Sequence, residues 1–209
     1  MLKEAFLGRQ PSHFKVNPFV RAFIVAESFL WSALNLTTPI FAVFVASSVA
    51  GGNVETAAFS FTVYYILRVI FELTTGRYLV GSSEKKKIAT VLLGLFVTGL
   101  SYLGFAYAPT IILVYLFQGL SGVGLGIASP PKNALFSTHL DRNKEATEWG
   151  WYDATVFIGM GLAASLGGLV AASYGFKTLF IISAVVVWLA MIPYLLYIKK
   201  NNLPPQSHL

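Results

Sequence analysis

Apolar positions gather into six long runs separated by short polar connections: roughly Ala22 to Val49, Glu55 to Leu79, Ile88 to Tyr107, Pro109 to Pro131, Trp151 to Tyr174 and Thr178 to Ile198. Each is close to or above the ~20 residues that a helix needs to cross the hydrocarbon core. A helix satisfies its own backbone there, which an open sheet cannot do. The pattern predicts an all-α membrane protein with six transmembrane helices over residues 22–198, preceded by a cytoplasmic segment 1–21 and followed by a cytoplasmic tail 199–209. Pro11 and Pro18 break the first segment, which reads as interfacial.

Within the runs the polar residues are ordered. Glu27, Trp31 and Asn35 recur every four residues in the first run, as Tyr64, Arg68 and Glu72 do in the second. Four-residue spacing stacks side chains along one helical face. Gln118 sits near the middle of the fourth run and Asp153 near the start of the fifth. A charge at the bilayer centre costs at least ~2.5 kcal/mol on insertion scales, so Arg68 calls for a partner. Glu72 lies one turn away, and Glu27 on the antiparallel first helix is expected at similar depth. Asp153 enters from the same side. The third and sixth runs carry no charge and are expected to face lipid, with the first, second and fifth turned toward a polar interior.

The glycines and prolines add packing expectations. Gly159, Ala163 and Gly167 at four-residue steps let another helix approach closely. Pro39 permits a bend in the first run. It lies about as far into that run as Pro130 lies into the fourth, the correspondence that a three-plus-three inverted repeat would give.

Composition agrees: 56% of the 209 residues are hydrophobic and 11% charged, against about a quarter charged in soluble domains. The net charge of +6 is a topology signal once its distribution is read. Lys3, Arg9, Lys15 and Arg21 precede the first run; Arg77, Lys85, Lys86 and Lys87 lie between the second and third. Lys132, Arg142 and Lys144 lie between the fourth and fifth, and Lys199 and Lys200 follow the sixth. The opposite connections hold only Lys177, so both termini are expected in the cytoplasm of an inner or plasma membrane protein. Lipid is then the expected surroundings and nucleic acid is not an expected partner.

Catalytic chemistry finds little support. There is no cysteine, and His13, His139 and His208 fall outside the runs, so neither a metal nor a cofactor is expected. Gly119-Leu120-Ser121-Gly122 has the form of the rhomboid protease nucleophile motif, but no histidine base stands in the sixth run. The chain is not expected to be an enzyme. Two side-chain sets remain. Trp31, Asn35, Gln118 and Tyr64 suit a small polar solute, an aromatic face stacking on it and amides reaching hydroxyls, with a sugar as first candidate. They equally suit helix packing. Glu27, Arg68, Glu72 and Asp153 form either a proton-coupling site, with Glu27 the first candidate, or a fixed charge network.

At this point the chain resembles one half of a transporter of the major facilitator superfamily. Between the second and third runs Gly76, Lys85 and Lys86 match that family's loop motif, while Val80 replaces its aspartate and Ser83 its second glycine. In the fourth run Gln118 and Gly119 match and Tyr115 replaces the arginine; in the fifth, Gly150, Gly159, Gly167 and Gly168 fit, with Ala163 and Ala164 replacing Gly-Pro. The resemblance implies alternating access, with the first and fourth helices lining the cavity. It also implies that a half-size chain is completed as a parallel homodimer, the second helix of one copy packing on the fifth of the other. An exporter of amphipathic compounds, a non-transporting subunit and one half of a split heterodimeric transporter remain open.

Overall fold

The computed structural model describes residues 16–200. The interfacial reading of the first segment falls mostly on residues outside that range, as does most of the tail. Among the described residues seven α-helices follow in order: α1 (Pro18–Thr37), α2 (Phe41–Ser48), α3 (Val54–Tyr78), α4 (Glu84–Phe105), α5 (Ile111–His139), α6 (Glu145–Leu189) and α7 (Ile192–Lys200). Of these residues, five helical stretches are long and apolar enough to cross a membrane: Pro18–Ser48, Val54–Tyr78, Glu84–Phe105, Ile111–His139 and Glu145–Lys200.

The last stretch spans 56 residues and is interrupted by Gly175, at φ 81° and ψ 167°. Only glycine adopts that conformation readily. Aromatic contacts show that the chain reverses there. Tyr152 lies 5.5 Å from Phe23, Phe176 lies 5.5 Å from Phe44, and Tyr194 is again beside Phe19 at 6.4 Å. The chain thus leaves the Phe19 end of the bundle, reaches the Phe44 end and returns.

Local sequence explains the helix starts and breaks. Asn17 accepts from the Phe19 amide with Pro18 as first helical residue, and Asn53 and Thr56 form a reciprocal capping box on α3. Pro39 sits in a 3-10 turn, Thr38–Ile40, that separates α1 from α2. Pro130 and Pro131 do not interrupt α5, which runs on to His139 and carries Lys132 within the helix. Lys132 therefore belongs to the bundle and not to the connection assigned from the sequence. The two prolines expected to correspond thus act differently: one ends a helix and the other does not.

Small residues set the helix pairing. A Cβ on Gly122 would overlap the Tyr64 carbonyl oxygen, one on Gly124 would stand 2.7 Å from the Thr98 amide nitrogen, and one on Gly167 would overlap the Leu36 carbonyl oxygen. These contacts bring α5 against α3 and α4, and α6 against α1. The expected division between lipid-facing and interior helices is corrected. α4, the uncharged third run, buries Val91, Gly94, Leu95, Thr98, Ser101 and Phe105 among others. α3, which carries Arg68 and Glu72, buries only Ala57, Ser60 and Thr75. Close glycine-mediated packing places α4 inside, whereas lack of charge alone does not choose between lipid and a neighbouring helix.

Candidate functional site

The polar stripe of α1 forms as its spacing predicts, and its partner comes from α5. Glu27 is 2% exposed and Lys132 4%; the Lys132 ammonium donates to Glu27 Oε2 at 2.7 Å. Trp31 Nε1 donates to the same oxygen at 3.1 Å, and the ammonium also stands 6.0 Å from the Trp31 ring centroid. One carboxylate thus holds a cation and an indole, the arrangement a buried charge requires. Asn35 continues the stripe, with Nδ2 donating to the Trp31 carbonyl at 2.9 Å. Its Oδ1 makes no hydrogen bond among the described residues.

On α3 the second stripe is a chain along one helix. Arg68 donates to the Tyr64 hydroxyl oxygen at 2.7 Å and its Nε stands 3.5 Å from Glu72 Oε2. The expectation that Glu27 shares this base is corrected, because Glu27 points at α5. Asp153 is exposed near the start of α6 and forms no ion pair among the described residues. The four charges therefore do not make one network.

A cavity of 290 Å³ lies between the two stripes. Trp31, Asn35, Tyr64, Arg68 and Gln118 all line it, joined by Tyr102, Phe105 and Phe180 from α4 and the returning part of α6. Thr38 and the exposed Tyr65 also line it. Tyr115 does not line it and packs edge-on against Phe59 at 5.4 Å. Five of the sequence-derived site residues thus converge on one cavity. Glu27 and Lys132 stand behind the Trp31 wall, and Glu72 and Asp153 lie outside it.

Lys132 is the residue that sequence reasoning placed wrongly, because two prolines read as a helix end. A usable signal was present: Lys132 lies fourteen residues after Gln118. At 100° per residue, two heptads return to within about 40° of the same face.

Comparison with known proteins assigns the chain to a family. The family model described as Major Facilitator Superfamily matches residues 19–208. The chain belongs to the major facilitator superfamily. The multidrug resistance protein MdtG of Rahnella sp. (strain Y9602) is 34% identical over 98 residues, covering 47% of this chain and 24% of that protein. The crystal structure of the POT family transporter PepTSo superposes with a TM-score of 0.74 at 16% identity, over 93% of this chain and 40% of that one. The chain therefore spans less than half the length of either relative, and its fold corresponds to part of a superfamily transporter. Membership also makes it an integral membrane protein of a family of transporters, not of enzymes.

Proposed function

We propose that this chain supplies one bundle of a secondary transporter that works by alternating access. In this reading Gly175 separates the fifth crossing from the sixth, giving six crossings, a three-plus-three internal repeat and both termini in the cytoplasm. The observation that carries the proposal is the cavity, where Trp31, Asn35, Tyr64, Arg68 and Gln118 meet from three helices. At 290 Å³ it falls just below the usual range for small-molecule sites, as half of a shared cavity would. A second bundle completes it. A second copy in parallel orientation is the simplest source, with α3 of one copy on α6 of the other.

The solute favoured by the lining is a small amphipathic organic compound. Aromatic rings from Trp31, Tyr64, Tyr102, Phe105 and Phe180 dominate the wall, and one Asn35 donor is already spent on its own helix. The resemblance to a protein named for multidrug resistance agrees with that choice. A sugar is the second reading, favoured by Trp31 standing beside Asn35 and Gln118 in one cavity. Proton coupling is assigned to Glu27: a proton arriving at its carboxylate would release Lys132, and its loss would restore the pair.

Uptake into liposomes, with a panel of aromatic amphipaths and sugars and with or without a pH gradient, tests the whole reading. Gradient-dependent accumulation of an amphipath supports it, and no uptake of any solute by folded protein refutes transport. Glu27→Gln combined with Lys132→Met, which leaves no unpaired buried charge, should abolish gradient-driven accumulation while leaving solute exchange. Unchanged accumulation would remove the proton role. Crosslinking in the membrane separates a homodimer from pairing with a different chain.

A further inference from the structure

Away from the central cavity, α1 and α7 leave a groove of 450 Å³ at the Phe19 end of the bundle. The two helices pack together with opposite directions, Phe19 lying 5.0 Å from Tyr197. Each presents a basic side chain and an exposed apolar one. On α1, exposed Val25 lies one turn deeper than Arg21; on α7, exposed Leu196 lies one turn deeper than Lys200. Pro18, Ala22, Pro193 and Tyr197 complete the lining. Neither Arg21 nor Lys200 is ion-paired with a described residue.

We infer that this groove binds one anionic phospholipid. Its two cations flank the phosphate while an acyl chain lies along Val25 and Leu196. The shape of the site argues for a lipid over a free anion, because the apolar wall continues directly inward from the charges. Charge complementarity argues for an anionic headgroup over a zwitterionic one, since neither cation is ion-paired with a described residue. A lipid there would fill the gap between the first and last helices without touching the solute cavity, so the inference is independent of what is transported.

Native mass spectrometry of the full chain released from nanodiscs of phosphatidylglycerol and phosphatidylcholine reads the site directly. One retained phosphatidylglycerol is expected. R21Q/K200Q should weaken its binding about thirty-fold, because each basic residue near an anionic surface contributes about five-fold. R21K/K200R should retain it, and Val25→Trp should reduce retention by filling the apolar wall. For the unaltered protein, raising salt to 1 M should release phosphatidylglycerol selectively, since exposed charges are screened. Equal retention of the two lipids, the same loss in K85Q/K87Q, or full displacement by glycerol phosphate would each overturn the inference.

Discussion

The Glu27–Lys132 pair and the Arg68–Glu72 pair have the same chemistry and opposite settings. The first joins α1 to α5 at 2.7 Å with both side chains almost fully buried. The second stays on α3 at 3.5 Å, with side-chain exposures of 24% and 40%. A buried pair between helices fixes their register, and removing one member leaves a charge with neither water nor counter-ion. A pair along one exposed helix face contributes little to the bundle. The difference marks the α1–α5 contact as internal and leaves the polar face of α3 at the cavity, which Tyr64 and Arg68 line.

Breaking the buried pair should have the largest effect. Lys132→Ala should destabilise the bundle by about 3 to 5 kcal/mol, read as a lower melting temperature in detergent. Glu27→Gln combined with Lys132→Met should recover most of that loss, because no unpaired charge remains. Recovery sharpens the contrast; a double variant no more stable than Lys132→Ala breaks it.

Packing comes next. Gly122→Val places a side chain against the Tyr64 carbonyl, and such overpacking should cost about 1 to 3 kcal/mol, measured the same way. Because Tyr64 and Gln118 line the cavity on either side of this contact, solute binding should weaken as well, which a binding titration checks.

On the open face, Glu72→Gln should change stability by no more than about 1 kcal/mol. In the proposed homodimer its stronger readout should be association, a lower crosslinked fraction at equal protein concentration. A large stability loss would show that α3 charges act within the bundle after all. Smallest of all, Asp153→Asn should leave the melting temperature unchanged, since Asp153 is exposed and forms no ion pair among the described residues.

Much of the site was legible because helical spacing is local. Glu27, Trp31 and Asn35 share a face in any helix, and so do Tyr64, Arg68 and Glu72. The glycines of α6 were legible as packing positions, and the structure identifies the neighbour of Gly167 as Leu36. Lys132 was misplaced despite its helical spacing from Gln118, because proline usually ends a helix and α5 continues through two of them. Burial of α4 was not legible: an uncharged helix is equally at home in lipid or against other helices. Its glycine contact with α5 made the choice.

By itself the sequence determined that the chain is a membrane helix bundle, where its apolar stretches lie and which polar residues share a helical face. These follow from hydrophobic length and from a period of 3.6 residues, and both are written in neighbouring positions. Only the tertiary structure decided that Glu27 meets Lys132, 105 residues away, while Arg68 keeps to its own helix. Pairing between distant helices depends on how closely backbones approach at Gly122, Gly124 and Gly167, and on which faces that approach turns inward.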